Sequence, residues 1–242
     1  MIKVCTGFSP AGYEQYGKRF LETFHKHWPK EFDLAVYTEE PIKVPRGTCE
    51  SLWQCDGVLD FINRHKNIPD RNGTRIHSKW KERHRRFDYN FRFDAVKFCR
   101  QCFIPYHASL DLKDDDILIW LDGDVISLSD VPEKFILRLL CEKEITFLGR
   151  VGYHSEIGFW AVRINKYTRQ FLKMFSETWK TDKVFELEEW HSAFVFDWCR
   201  KKMNLNENNL TPEGRGDVWK QSPLRAYTDH LKGKRKALAR AS

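Results

Sequence analysis

Apolar and polar positions change period along the chain, and each change marks an element. Residues 2–6 read as a short buried strand ending in Thr6-Gly7-Phe8-Ser9-Pro10. Behind it Tyr16, Phe20, Leu21, Phe24 and His27 or Trp28 recur at three- and four-residue steps, one face of a helix that Pro29 stops. Residues 32–38 (FDLAVYT) read as a second strand, so the first 38 residues make a right-handed βαβ unit, the building block of parallel sheets. Residues 40–75 are irregular, broken by Pro41, Pro45, Gly47 and Pro69, with a short helix near 58–64. A helix over 89–103 then places Phe91, Ala95, Phe98, Cys99, Cys102 and Phe103 on one apolar face. The continuous run ILIWL at 117–121 is expected of a central strand covered on both faces. Strands over 145–149 and 157–164 follow, then helices over 166–180 and 189–202, and from Asn204 the chain is polar and turn-rich. The alternation, with no repeat and no linker, predicts one α/β domain built on a mostly parallel sheet flanked by helices.

Composition narrows this picture. Hydrophobic residues make up 41% of 242, as in globular proteins and too many for a disordered one. The longest apolar run, at 117–121, is far too short to cross a membrane as a helix. No apolar h-region stands near the start, so no secretory leader and a cytoplasmic location are expected. In that setting the seven cysteines are expected as reduced, mostly buried thiols. Cys99-x-x-Cys102 reads as helix packing rather than a metal or redox pair, because no second pair stands at zinc spacing. The net charge of +7 is local: residues 75–86 (RIHSKWKERHRR) and 231–242 (LKGKRKALARAS) each carry +5, which leaves −3 for the rest. A uniformly basic coat for nucleic acid is therefore a poor description.

Chemistry first appears at Asp122-Gly123-Asp124. Asp-x-Asp alone means little, but here an apolar strand delivers it to the carboxyl edge of an α/β sheet, where such sheets bind ligands. If the segment is extended, alternate carboxylates point the same way and reach one divalent cation, and Gly123 permits a close backbone approach to a ligand. Oxygen ligands favour Mg²⁺ or Mn²⁺, ions that also hold substrate phosphates. The tail His230-Leu-Lys-Gly233-Lys-Arg-Lys236 offers an imidazole, a glycine and several cations; the imidazole shifts the preference toward Mn²⁺, and the cations suit a diphosphate.

The βαβ start, the Asp-x-Asp after an apolar strand and the late His-x-x-Gly-x-x-Lys together resemble a GT-A-fold glycosyltransferase, most nearly the glycogenin and LgtC-like group of family 8 and its small relatives. The resemblance implies one GT-A-like domain over 1–242, with a nucleotide-binding half at 1–130 and a sugar and acceptor half at 131–242. It implies Asp122, Asp124 and His230 as ligands of Mn²⁺ (or Mg²⁺), which in turn holds a UDP-sugar donor. Gly233, Lys236 and Lys234 become diphosphate contacts, with Gly123 beside the metal ligands. Thr6, Gly7 and Phe8 match the place that receives the uridine, and Tyr37 and Thr38 line the same pocket. Asp94 and Lys97 fall where relatives keep a basic residue over the diphosphate and sugar. Glu156 is positioned for sugar hydroxyls, and Glu189, in a segment expected to open a helix, for the acceptor side. Where the family has Pro-Trp after the tail lysine, this chain has Ala237 and Leu238.

The implied reaction moves a sugar from the donor to a hydroxyl acceptor (glycan, protein, lipid head group or nucleic acid). Family 8 implies retention, which needs no strong base, whereas a base at Glu189 would mean inversion. Two rivals remain: a metal-dependent nucleotidyltransferase, which also uses Asp-x-Asp, and a nucleic-acid-binding module driven by 75–86 with Trp80 and Phe87 interleaved. Most of the 35 aromatic residues are expected in the core; Trp190 and Trp219 are candidates for a sugar platform.

Overall fold

The computed structural model describes residues 1–74, 89–233 and 235, so the basic segment 75–86 and the tail residues Lys234 and Lys236 lie outside the described residues. Strands β1 (Ile2–Phe8), β2 (Asp33–Thr38), β3 (Thr48–Ser51) and β4 (Ile117–Leu121) run parallel in the spatial order β3-β2-β1-β4. The short β5 (Val125–Ser127) leaves this sheet. Beyond β4 lie β7 (Glu156–Arg163), then β6 (Ile145–Leu148) and β8 (Glu207–Asn209). Only β7 is reversed: it is antiparallel to both β4 and β6, and β8 is parallel to β6. The expected mostly parallel α/β sheet is thus present, with a reversed strand inserted beside its centre. Last in the chain, β9 (Thr228–His230) pairs antiparallel with β5 in a separate two-stranded ribbon.

Alternation along β4 divides the core. Ile117, Ile119 and Leu121 join one buried cluster, while Leu118 and Trp120 join the other. The first cluster is closed by Phe20, Leu21 and Phe24 of α1 (Lys18–His27). On the opposite face stand α2 (Val58–His65), α3 (Ala95–Phe98) and α4 (Arg100–Ala108). Helix α5 (Glu133–Leu140) covers the α1 face, whereas α6 (Lys166–Lys180) and α7 (Ser192–Met203) cover the other. Phe171 and Phe175 there meet Trp160 of β7 edge-on, a favoured aromatic arrangement, and Phe196 packs edge-on against both of them and tilted against the indole. All seven cysteines are free, and five of them, including Cys99 and Cys102, are buried. Burial pushes the Cys99 thiol up to about 12, in keeping with a packing role. Trp190 and Trp219 are buried too, so neither is a sugar platform.

Several expected boundaries move for local reasons. The first helix is preceded by a turn at Pro10–Gly12, capped by Ser9, and a π-helical turn at Tyr13–Gly17. The helix expected over 89–103 starts at Ala95, because the Asp94 carboxylate accepts the Lys97 N–H (3.0 Å) and caps it, and α4 runs on to Ala108 through Pro105. Helix α7 starts at Ser192 rather than 189, with His191 at its N-cap in extended backbone, so Glu189 stands outside the first turn. Helix α5 and the strands β3, β5, β8 and β9 fall in stretches with no predicted element. Among the described residues no helix is long and apolar enough to cross a membrane.

Candidate metal and donor cleft

From β1 the chain passes to β2 on one side, while β4 lies on the other, so a crevice opens beyond their carboxyl ends, as it does where strand order reverses in open α/β sheets. A cleft of about 1160 Å³ occupies this edge, lined by Gly7 and Phe8 from β1, Tyr37 from β2, Asp122 to Asp124 beyond β4, and Glu156 of β7. Because β7 runs against β4, its first residues come to the same edge: Asp122 N–H donates to the Gly158 carbonyl at 2.9 Å.

The two aspartates do not sit in an extended segment. Strand β4 ends at Leu121, and Val125 N–H donates to the Asp122 carbonyl at 3.0 Å, closing a turn. The turn, not strand alternation, brings both carboxylates together. Gly123 is needed there for packing, since a Cβ would lie 2.3 Å from Cε1 of the Phe8 ring, and it also lines the cleft. His230 arrives through the ribbon, where β9 pairs with β5 with Val125 opposite His230 and Leu231 N–H donates to the Asp124 carbonyl at 2.9 Å. Its Nε2 lies 2.9 Å from Asp124 Oδ1 and 3.7 Å from Asp122 Oδ2. One ligand atom from each of the three residues falls within 4.8 Å of the others.

Two carboxylates and an imidazole form a donor set suited to Mn²⁺ or Mg²⁺, and the surroundings fit such an ion. Asp122 Oδ1 is held by Gln101 Nε2 (3.0 Å) and the Trp120 indole N–H (2.9 Å), an outer shell of the kind that orients ligating carboxylates. Ser192 Oγ in turn donates to Gln101 Oε1. Gly158 makes room for the imidazole, since a Cβ there would stand 2.6 Å from His230 Cε1. The buried His230 Nδ1 has no hydrogen-bond partner, and Trp219 packs edge-on against the ring.

Cations reach the same cleft. Arg150 and Lys232 both line it, and both pair with Glu156 Oε2. Burial, and then the charge of Arg150, push Lys232 down to about 8. Glu156 is thereby committed: it carries two cations, accepts the Gly158 N–H and stands 3.5 Å from His230 Nδ1. Arg235 faces inward, bound to Asp229 and the His230 carbonyl, so it braces β9. Gly233 lines the cleft with a φ of +55°, a left-handed conformation that glycine adopts freely.

The other predicted residues are scattered more widely. Gly7, Phe8 and Tyr37 line the cleft, whereas Thr38 lines a smaller neighbouring hollow with Phe8 and Tyr13. Thr6 is fully buried in β1 and is not among the lining residues. Asp94 and Lys97 both border the cleft; Asp94 caps α3 and accepts the Tyr89 hydroxyl (2.7 Å), while Lys97 lies over the Tyr89 ring. Glu189 is outside the lining and belongs to a second cluster. Its Oε1 accepts from Arg92 Nη1 (2.8 Å), and its Oε2 faces Nε2 of His191 (2.8 Å) and of His154 (3.2 Å). Burial alone would raise this carboxyl, but hydrogen bonds from the two histidines and the Arg92 charge hold it well below the usual range. Arg150 and Gln101 carry no motif that would have singled them out in the sequence.

No family model matches the sequence, and no curated protein does. Among solved structures the chain is similar to the glycosyltransferase GlyE of Streptococcus pneumoniae TIGR4, at 12% identity and a TM-score of 0.46, over 86% of this chain and 44% of that one. The chain thus spans less than half the length of this neighbour.

Proposed function

We propose that the protein is a metal-dependent glycosyltransferase that moves a sugar from a UDP-sugar to a hydroxyl acceptor. The observation that carries this is the meeting of Asp122 and Asp124 with His230, 106 residues further on, at the mouth of a cleft that also holds Arg150 and Lys232. When bound, a divalent ion neutralises the diphosphate leaving group as a Lewis acid, an effect worth several kcal/mol. Asp122, Asp124 and His230 hold that ion, and Gln101 with Trp120 keeps Asp122 oriented. Arg150 and Lys232 place positive charge where the diphosphate gains negative charge, and Gly233 lines the same cleft. Gly7, Phe8 and Tyr37 supply the nucleoside end. Breaking the anomeric bond then leaves an oxocarbenium-like sugar facing the acceptor. Glu189, tied to Arg92 and two histidines, is a poor base, which favours retention over inversion.

Titration of UDP with and without Mn²⁺, against the wild type and Asp124→Ala, tests the core of this reading. Mn²⁺-dependent binding by the wild type alone is the expected result; equal, metal-independent binding in both ends it. A panel of UDP- and GDP-sugars with Mn²⁺ then identifies the donor, and the anomeric configuration of the product by NMR decides retention. One observation favours nucleotidyl transfer instead: Glu156 is a third carboxylate on the strand next to β4. Its two cationic partners weigh against metal ligation. Release of pyrophosphate rather than UDP would identify that chemistry.

A further inference from the structure

Beside the cleft, the loop before β7 and the segment before α7 bring His154, Glu189 and His191 together. We propose that these three residues form a second metal site, separate from the first, which takes a transition metal of the zinc class. One ligand atom from each lies within 4.8 Å of the others. Both imidazoles aim Nε2 at the same carboxylate oxygen, Glu189 Oε2, at 2.8 and 3.2 Å. Tetrahedral ligands about 2 Å from a zinc ion stand about 3.3 Å apart, so seating the ion asks the two imidazoles to draw back from Glu189 Oε2 by about half an ångström at most. Two imidazole nitrogens with one carboxylate oxygen also form a known zinc donor set, one that leaves a fourth position for water or another ligand.

The surroundings support the same assignment. Arg92 holds Glu189 Oε1 at 2.8 Å and so leaves Oε2 as the oxygen turned toward the histidines, the outer hydrogen bond usual for ligating carboxylates. Its charge offsets that of Glu189, which removes the attraction a hard cation needs while leaving the imidazoles to select a softer one. Around His191 the rings of Phe91 and Phe98 form an apolar wall, with centroids 5.4 and 6.0 Å away. His191 itself is buried, whereas His154 is about one-third exposed and provides the entry path. Two connections tie the site to the cleft: His154 stands two residues before Glu156, and Ser192, next to His191, bonds the Gln101 that holds Asp122. Metal bound here would fix the chain on both of these connections.

The test uses the full chain after chelator treatment, titrated with Zn²⁺ and, for its visible absorption, Co²⁺. Asp124→Ala is expected to keep one zinc equivalent and the intense Co²⁺ bands of a four-coordinate site. In the same background His154→Gln should weaken zinc binding at least tenfold and abolish those bands, while excess Mg²⁺ competes with neither. Because His154 is partly exposed, its metal-free melting temperature should match that of the parent, which separates lost ligation from lost fold. His191→Gln provides the second, buried ligand test. Zinc affinity unchanged by His154→Gln and His191→Gln, or no zinc bound by Asp124→Ala at micromolar concentration, overturns the proposal. The outcome is independent of the UDP titration, since Asp124→Ala removes the first site throughout.

Discussion

Asp122, Asp124 and His230 are gathered by a tight turn and the β5–β9 ribbon, whereas His154, Glu189 and His191 are gathered by loops, and the two clusters differ as much in charge as in construction. In the first, two carboxylates share one imidazole, and the nearby cations Arg150 and Lys232 both pair with Glu156. In the second, the single carboxylate is already offset by Arg92. The same residue types therefore suit different ligands: a hard cation with its phosphates in one place, and an ion chosen by nitrogen in the other.

The largest effect that would break this contrast is expected from Asp124→Ala, which should reduce Mn²⁺-dependent donor turnover by at least about 100-fold, as removal of a charge-stabilising group does. Steady-state kinetics with the donor panel checks it; turnover within a few-fold of wild type would mean that the first cluster holds no catalytic ion. Next in size, His230→Gln should weaken Mn²⁺ binding by about 10- to 100-fold, measured by electron paramagnetic resonance of free Mn²⁺. Gln101→Leu removes one of the two donors on Asp122 Oδ1 and should cost about tenfold in Mn²⁺ affinity with little change in melting temperature. A larger loss of stability than of metal affinity would make Gln101 a packing residue only.

The smallest effect concerns acid. Glu189 is held below the ordinary carboxyl value of about 4.3, so its stabilising contribution is complete above that pH and is lost as the pH falls below it. In metal-free buffer the urea midpoint of wild type should therefore exceed that of Glu189→Gln at pH 6, and the gap should begin to narrow below about pH 4.3 and still be partly open at pH 3. A gap independent of pH would show that Glu189 contributes through shape rather than charge.

The parts of this site that were legible in the sequence are those whose signal is local. Ile117 to Leu121 announces a central strand by its own apolarity, and the aspartates follow from its end. His230 stood out by residue type within the basic tail and gained its ligand role from the family resemblance, while β9, which carries it, is too short at three residues to show a period. The same shortness hid β5 and β8, and the edge strand β3 is polar, as edges that avoid further pairing often are. Gln101 and Arg150 stayed silent for another reason: each acquires meaning only through partners outside its own element, Asp122 and Ser192 for one and Glu156, itself shared with the distant Lys232, for the other. Helix α5 is different again. Phe135, Ile136, Leu139 and Leu140 carry helical spacing, and that signal stood in the pattern unassigned.

The pairing of β5 with β9 has a consequence for biosynthesis. A ribosome that has released the chain only as far as β8 has already supplied every strand of the seven-stranded sheet, yet not His230. The scaffold can thus form first and stay inert, and the last ribbon then acts as a key turned after the lock is built. A protease cut between 210 and 227 that frees β9 would reverse that step, parting His230 from Asp122 and Asp124 while leaving the sheet's strands whole.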